Sequence, residues 1–328
     1  MTTELITLNH GAGGEETGKL IAFVRTCLGS CAPLDDAFVF EPSGRAALTT
    51  DGFVVTPRFF PGGDIGTLAV CGTANDLACL GARLRHLALA LIIEEGLPFA
   101  ELGRALHSLA ATAARCGATV VTGDCKVVGH GQADGLFIVT TGYGELEHAV
   151  RQPLMPGDAV IVTGTAGDHG MAILTQRAGL ALTSDIASDC AVLWPLVTLA
   201  AHAGTVRFVR DATRGGVAAV LNEMAREQQV ALLVDDEALP VKANVRAACA
   251  MLGLDPWHIA NEGKMVMVAA AGDADRVLAT LRGHELGRAA AVIGRVRAGE
   301  PGQVMLTTAA GGERMLLPVS GEQLPRIC

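Results

Sequence analysis

The stretch Gly72-Thr73-Ala74-Asn75-Asp76-Leu77-Ala78 decides how the first half of this chain folds. It lies within residues 65–81, where apolar residues such as Leu68 and Leu77 recur at helical spacing and predict a helix. A helix interior rarely favours the Asn75-Asp76 pair, because short polar side chains compete with the backbone for hydrogen bonds. The position of this pair on a face of small residues therefore indicates a polar function for the helix.

Segments on both sides of this helix predict an α+β chain with two domains and a boundary near residue 150. For the first domain, residues 1–150, we expect strands at 34–40, 47–55, 85–94, 118–128 and 135–144, and helices at 21–28, 65–81 and 99–116. For the second, residues 151–318, we expect strands at 159–163, 206–209, 230–234, 265–270, 290–296 and 304–306. Its expected helices are 171–178, 191–203, 217–227, 241–252 and 273–281. Residues 319–328 are predicted to form a mobile tail.

Composition excludes several classes of protein. The net charge of −9 argues against a general nucleic-acid binder, which would be basic. Met1-Thr2-Thr3-Glu4 is not the basic start of a signal peptide, and no uncharged run approaches the ~20 residues of a membrane helix. The nine cysteines are odd in number, scattered and without a CxxC pair. We therefore expect a cytoplasmic protein without a disulfide framework, a zinc cage or a membrane partner.

The chain ends in Pro325-Arg326-Ile327-Cys328, which places a thiol and an α-carboxylate on one mobile residue. A thiolate is a good nucleophile. From about Leu317 the tail could span roughly 35–40 Å when fully extended. One hypothesis is that Cys328 carries a covalent substrate on which the rest of the chain acts. The alternative is that the final residue is a cysteine without a function.

Two glycine-rich loops invite a nucleotide-binding interpretation. Residues 9–20 approach a Walker A loop, but Leu20 stands where its Ser or Thr should be, so we reject that motif. Two interpretations explain this segment better. It is either a flap that closes over a nucleotide through Gly13 and Gly14, or a flexible loop. The loop at residues 164–170 has the spacing GxxGxxG and is interpreted as a strand-to-helix turn with Asp168 near the helix start.

Carboxylates recur at the ends of the predicted elements. Mg²⁺ prefers hard oxygen ligands and leaves positions for phosphate and water. A nucleotide with its metal could therefore recruit aspartates from separate segments: Asp51, Asp76, Asp124 and Asp211. Asp211 comes shortly before Gly215-Gly216 and a predicted helix start, which suits an anion beside a cation. The alternative is that each aspartate only caps a turn.

These motifs resemble the PurM-like ATP-binding superfamily. The resemblance rests on Thr50-Asp51-Gly52, Gly63-Asp64-Ile65-Gly66, Gly72–Ala78 and Thr122–Val128. With Asp211–Gly216, Asn261-Glu262-Gly263-Lys264 and the terminal tetrapeptide, nearly the whole chain resembles the HypE family of hydrogenase maturation proteins. Cys125 departs from the Thr expected there. The resemblance implies two α+β domains, with the N-terminal mixed sheets pairing into a homodimer barrel and ATP between the halves.

The resemblance also implies a reaction. A carbamoyltransferase, HypF, would place a carbamoyl group on Cys328. MgATP would then drive its dehydration to a thiocyanate, with ADP and phosphate as products. The tail would deliver cyanide to iron on a HypC–HypD complex.

By the same resemblance, the predicted residues fall into three groups. Metal ligands would be Asp51, Asp76, Asp124 and Asp211. The nucleotide would be bound by Gly13, Gly14, Asp64, Asn75, Thr122 and Gly215. Catalytic groups would be Cys328, Glu262 as base, Lys126 as the cation beside the reacting oxygen, and Arg214 as the second choice. Lys126 could instead be a solvated strand-end lysine, and Glu262 a loop glutamate that caps its own turn. His10, His130 and His169 are expected to be loop histidines without a catalytic role.

Two alternatives stay open. The aspartate motifs also fit aminoimidazole ribonucleotide synthetase, selenophosphate synthetase and thiamin-monophosphate kinase. Residues 9–20 lack the reactive Cys of selenophosphate synthetases, and the kinase needs no terminal thiol. The other alternative is a non-enzymatic scaffold that uses Cys328 as a thiol tether, although one thiol makes a poor metal site.

Overall fold

The computed structural model describes residues 4–29, 37–177, 185–318 and 326–328. A short 3-10 turn at Leu8–Gly11 precedes the elements of the first half. In chain order these are α1 (Glu15–Leu28), β1 (Ala46–Phe53), β2 (Phe59–Phe60), β3 (Gly63–Asp64), α2 (Ile65–Cys79), β4 (Ala82–Glu94), α3 (Phe99–Cys116), β5 (Thr119–Val128) and β6 (Leu136–Leu146).

The second half continues with β7 (Ala159–Val162), α4 (Asp168–Arg177), α5 (Trp194–Ala203), β8 (Val206–Asp211), α6 (Gly216–Glu227), β9 (Ala231–Asp235), α7 (Ala243–Leu252), β10 (Met265–Ala269), α8 (Ala274–Arg282), β11 (Ala291–Arg297), β12 (Val304–Thr307) and β13 (Glu313–Met315). Mixed α+β architecture is therefore confirmed for both halves.

The first half forms a four-stranded sheet in the order β1–β6–β4–β5. Its strands are antiparallel except for the parallel pair β4–β5. Helices α2 and α3 cover one face, and α2 is almost wholly buried in the core. A Cβ on Gly66 of α2 would lie 1.9 Å from the carbonyl oxygen of Ala105 in α3. The absence of a side chain at Gly66 therefore lets these two helices pack in close contact.

The second half forms a seven-stranded sheet in the order β13–β12–β9–β11–β7–β10–β8, antiparallel except for β12–β9. The side chains of β7 and β10 alternate between two separate cores, one shared with α6 and the other with α5 and α8. Strands that are buried on both faces read as continuous apolar runs, as Met265–Ala269 does.

Helix α2 joins the two halves. The Asn75 amide nitrogen donates to the carbonyl of Ala191 (2.9 Å), and its oxygen accepts from the Leu193 N–H (2.8 Å). One turn further on, the Asp211 N–H donates to the Cys79 sulfur at 3.1 Å. The polar function expected for the Asn75-Asp76 pair thus includes fixing the second half against the first.

Most predicted elements are confirmed, including α3, which ends at Gly117 in the left-handed conformation. The strand predicted at 34–40 is wrong for residues 37–40, which are in no strand; residues 34–36 lie outside the described ranges. Phe38 and Phe40 instead pack against the His86 ring, while Val39 is 87% exposed. Strand β13 was not predicted, because its three residues, Glu313–Met315, are exposed and carry no apolar pattern.

Among the helices described, none combines the length and apolar character needed to span a bilayer.

Candidate active site

The last three residues of the chain lie in a groove beside the end of β1. The Val54 N–H donates to a backbone carboxylate oxygen of Cys328 at 3.1 Å, and the Thr56 N–H donates to the Arg326 carbonyl at 3.3 Å. Between these two contacts the Ile327 side chain is 2% exposed and packs into the first core. Residues 319–325 of the predicted tail lie outside the described ranges. The terminal residues are therefore bound against the end of β1, with Ile327 buried, Cys328 half-buried and Arg326 exposed.

Side chains from distant parts of the chain bind this terminal segment. The Arg326 guanidinium lies 2.8 Å from an Asp134 carboxylate oxygen and also donates to the Val54 carbonyl. His169 Nε2 lies 2.7 Å from the Ile327 carbonyl oxygen, and Nδ1 of the same ring lies 2.8 Å from Ser188 Oγ. His169 is fully buried, and this burial lowers the pKa of its ring, so the neutral form is favoured.

Docking places the Cys328 thiol among buried carboxyls. Burial raises its pKa from 9.0 to about 12, and the charges of Glu262 and Asp51 act in the same direction, whereas Arg214 opposes them. The docked thiol is therefore protonated at neutral pH. The charges that act on the thiol belong to Glu262, Asp51 and Arg214, all of which are predicted site residues.

Glu262 is 4% exposed, and its Oε1 is buried without a hydrogen-bond partner among the residues that the structure describes. Burial raises the pKa of its carboxyl well above the ordinary value, and the neighbouring charges of Asp211, Asp189 and Asp51 add to this effect. A carboxyl with a raised pKa is a stronger base once ionised, which suits removal of a proton near neutral pH. The charge of Glu262 acts on the Cys328 thiol, so this carboxyl is a candidate general base for chemistry at the chain end.

Asp189, a residue that was not predicted, holds the loop that carries Glu262. One Asp189 oxygen accepts from the Glu262 N–H (3.1 Å), and the other accepts from the Gly263 N–H (3.2 Å) and from Lys264 Nζ (3.1 Å). Although burial opposes it, the pKa of Asp189 is lowered, chiefly by the Lys264 charge. Asp189 is thus an ionised anchor for the loop that carries Glu262.

Three of the four predicted metal ligands act on one another. Burial raises the pKa values of Asp51 and Asp76, and burial followed by the charge of Asp76 raises that of Asp211 to about 7. An Asp76 oxygen also accepts from Thr49 Oγ1 at 2.9 Å. A bound cation would stabilise the ionised form of carboxyls that raise each other's pKa in this way.

The remaining predicted ligand lies apart from this group. Asp124 is exposed on the edge strand β5 and pairs with Lys126 at 2.6 Å; this hydrogen bond lowers the pKa of Asp124. Thr122 lies on the same strand. The glycine-rich loop approaches this edge, because a Cβ on Gly11 would lie 2.8 Å from the Val127 Cβ. Gly13 and Gly14 follow at positive φ, and α1 begins directly after them.

The other predicted residues have identifiable local roles. Asp64 caps α2 by accepting from the Thr67 N–H at 2.9 Å, and both polar atoms of the Asn75 amide are used between the two halves. Gly215, at φ 76°, precedes the first residue of α6, and Arg214 beside it is exposed.

A complete metal site is not formed by protein atoms alone. Across the described ranges, no three or more His, Cys, Asp or Glu side chains are arranged to hold a metal ion. Mg²⁺ in nucleotide sites is usually held by one or two carboxylates together with substrate phosphates. The group of Asp51, Asp76 and Asp211 fits that requirement.

Two residues that matter to this site, His169 and Asp189, were missed from the sequence. His169 was expected to be a loop histidine, but it is buried in the first turn of α4 against the tail. Its position in Gly167-Asp168-His169-Gly170 was the available signal, since a polar residue in a glycine-rich turn often has a role in binding. Asp189 lies in a segment without any motif, so no local pattern could have identified it.

The chain is similar throughout its length to known proteins. Residues 34–146 and 155–307 match the N-terminal and C-terminal domains of AIR synthase related proteins. It is 47% identical to carbamoyl dehydratase HypE of Rhizobium leguminosarum bv. viciae, over 98% of this chain and 95% of that protein. A crystal structure of the hydrogenase maturation protein HypE in complex with ATP superposes with a TM-score of 0.93 at 42% identity, covering 98% and 99% of the two chains.

A HypE chain from a crystal structure of the HypE–HypF complex superposes with a TM-score of 0.79 at 41% identity, covering 84% of this chain and 90% of that one. Identity at this level over the full length, together with the docked terminal cysteine, assigns the family: the chain belongs to the HypE carbamoyl dehydratases.

Proposed function

We propose that this protein dehydrates an S-carbamoyl group on its own Cys328 to a thiocyanate, at the expense of ATP, for the maturation of [NiFe]-hydrogenase. The observation that carries the proposal is the docking of the terminal Cys328, whose thiol is acted on by the charge of the buried Glu262 carboxyl. A terminal residue that merely happened to be cysteine would have no reason to lie in such a site.

The chemistry explains why both ATP and a base are needed. The carbamoyl oxygen is a poor leaving group, so transfer of the γ-phosphoryl group of ATP to that oxygen releases ADP and makes phosphate the leaving group. Loss of that phosphate and of the nitrogen-bound protons converts S–C(=O)–NH₂ to S–C≡N. Glu262 is assigned as the base that takes an N–H proton, because it is the buried carboxyl whose charge acts on Cys328.

Support for nucleotide binding comes from the HypE structure with ATP and from the acidic group. When bound, Mg²⁺ would neutralise phosphate charge during transfer. Asp51, Asp76 and Asp211 would hold it, and Asp124 is kept as a fourth ligand from β5. Gly13, Gly14, Asp64, Asn75, Thr122 and Gly215 are proposed to shape the nucleotide site, two of them by fixing α2.

Two cations are assigned to the developing charge. Arg214 acts on both Cys328 and Asp51, which supports a place near the carbamoyl oxygen or the transferred phosphoryl group. Lys126 is exposed and paired with Asp124, so its role requires the nucleotide to draw it away from that partner. We keep Lys126 as the first choice because a phosphate competes well for an exposed ammonium group.

The partners follow from the same reaction. The HypE–HypF complex supports HypF as the carbamoyl donor, and we propose a HypC–HypD complex as the cyanide acceptor.

We also propose a cytoplasmic homodimer. The homodimer rests on the resemblance to the family, in which the N-terminal sheets pair. Domains at 1–150 and 151–318, followed by a tail, are supported by the two separate sheets.

The deciding experiment measures the mass of the C-terminal peptide after incubation with the carbamoyltransferase, before and after MgATP. We expect an adduct of about 43 Da that then loses ~18 Da, as the composition of the group requires. Cys328→Ser is the control and should show neither change. An adduct that MgATP leaves intact would refute the dehydratase proposal and favour a thiol-tether scaffold.

A further inference from the structure

We propose that His169 is a positioning residue that sets the register of the docked tail, and that the Ser188-Asp189 segment ties this register to Glu262. The inference rests on the proposed function for its catalytic consequence, but tail docking itself can be measured without any reaction. Neither His169 nor Ser188-Asp189 is a predicted site residue.

Backbone pairing alone leaves the register of the tail weakly defined. The tail accepts two backbone hydrogen bonds, from the N–H groups of Val54 and Thr56, and this two-residue spacing is the repeat of hydrogen bonds between paired strands. A slip by two residues would keep the pairing type but would move the cysteine by about 7 Å. Contacts specific to one position are therefore needed to hold Cys328 opposite Glu262.

His169 supplies such a contact. Its Nε2 lies 2.7 Å from the carbonyl oxygen of Ile327, the residue directly before Cys328, and that carbonyl lies between the two paired with Val54 and Thr56. The ring is fully buried and packs edge-on against Phe60 at 5.4 Å between centroids. A neutral, fixed imidazole with Nε2 protonated is thus a donor aimed at one carbonyl of the tail.

Ser188 orients this imidazole and belongs to the segment that holds the base. Its Oγ lies 2.8 Å from His169 Nδ1 and accepts from the Cys190 N–H at 3.1 Å. The Ser188 backbone is itself fixed, since its N–H donates to the Pro61 carbonyl at 2.8 Å. The hydroxyl can therefore donate to Nδ1, which leaves the proton on Nε2, where the tail carbonyl needs it.

The next residue, Asp189, accepts from the backbone of Glu262 and Gly263. A Cβ on Gly263 would lie 1.7 Å from the Asp189 carbonyl oxygen, so the two segments are in direct contact. Two consecutive residues thus hold the tail, through His169, and the loop of the base. The distance between Cys328 and Glu262 is consequently set by one short piece of chain.

The test uses His169→Phe, which keeps a ring and removes both nitrogens, and His169→Gln, which can restore a donor near the Nε2 position. His148→Phe is the matched control, because His148 is a half-buried ring stacked on Trp194. Tail docking is measured as the alkylation rate of Cys328 at pH 8, read from the mass of the C-terminal peptide. Dehydration of the carbamoylated protein is measured in a single turnover with saturating MgATP.

For His169→Phe we expect alkylation of Cys328 to rise about tenfold, the usual effect of one lost hydrogen bond to a buried group. Single-turnover dehydration should fall by at least the same factor. ATP affinity should stay within about twofold, because His169 is not among the proposed nucleotide ligands, and carbamoyl loading should not fall, because it also uses the undocked thiol. His169→Gln should recover most of both losses. Asp189→Asn combined with Lys264→Met, which keeps the buried charge balanced, should slow dehydration without raising alkylation.

Unchanged alkylation in His169→Phe would overturn the inference. So would a loss of ATP affinity and thermal stability that matched the loss of docking, since a purely structural residue behaves in that way. If the natural protein shows no dehydration at all, the proposed function fails, whereas the alkylation rates still decide whether His169 sets the register.

Discussion

The guanidinium of Arg326 lies 2.8 Å from the carboxylate of Asp134, so the end of the chain is ion-paired with the loop between β5 and β6. Asp134 also accepts from Thr56 Oγ1 at 2.8 Å, and the Thr56 backbone pairs with the tail. The side chains of Arg326 and Asp134 are 40% and 46% exposed. The pair is therefore open to solvent and to salt, and it suits a tail that must leave its groove.

Asp134→Asn is expected to loosen tail docking modestly. Exposed ion pairs contribute about 0.2–1 kcal/mol, so alkylation of Cys328 should rise by no more than about fivefold. The same change should appear in the natural protein when the salt concentration is raised, because screening weakens exposed pairs. Asp275→Asn, on the exposed side of α8, is the control. A rate independent of both charge and salt would show that Asp134 does not hold the tail.

The pH dependence of Cys328 reactivity should report docking. Burial raises the thiol pKa to about 12 in the groove, against 9.0 for a free thiol. Below pH 9 the thiol is neutral in both states and docking is at full strength. As the pH rises from 9 towards 12, only the undocked thiol ionises, so docking weakens.

The measurement is the rate of iodoacetamide modification of the C-terminal peptide between pH 6 and 10.5. We expect the natural protein to show a midpoint above pH 10, and Arg326→Ala, which loses its contacts with Asp134 and Val54, to show one closer to 9. A midpoint near 9 in the natural protein would mean that the thiol is not in the buried environment.

Glu262→Gln should abolish dehydration without unfolding the protein. Loss of a general base typically slows a reaction by about 10²–10⁴-fold. Because Glu262 Oε1 has no hydrogen-bond partner in the described structure, a neutral amide of similar shape should leave thermal stability unchanged or slightly higher. Carbamoyl loading should persist, and Glu300→Gln, on an exposed turn, is the control. Full activity of Glu262→Gln in a single turnover would remove Glu262 as the base.

Two glycines in helices should respond to alanine in opposite directions. Gly66→Ala brings a Cβ to 1.9 Å from the Ala105 carbonyl and should cost about 1–3 kcal/mol in unfolding free energy. Gly18 lies exposed within α1 with nothing near its would-be Cβ, so Gly18→Ala should stabilise by about 0.5–1 kcal/mol. Denaturant titrations test both; equal effects would contradict the close packing of α2 on α3.

Local patterns explain which parts of the fold could be predicted. Helix α3 was predicted from Phe99 to Cys116 because its apolar spacing is regular and Gly117 ends it at positive φ. The strand predicted at 34–40 is wrong for residues 37–40. An apolar run predicts a strand, but it is equally compatible with a segment that packs its aromatic rings on a sheet and makes no backbone pairing with that sheet. Phe40 packs in this way, tilted against the His86 ring and edge-on against Tyr143.

Local patterns in the sequence were enough to predict most of the α+β elements. The resemblance to the family supplied candidates for the thiol, the base and the carboxylates in Cys328, Glu262 and Asp76. The neighbours of these groups followed from tertiary packing. His169 and the Ile327 carbonyl are 158 residues apart, and Asp189 and the Glu262 N–H are 73 apart. Hydrogen bonds over such separations leave no periodic trace, because they depend on how packed elements bring distant backbone together.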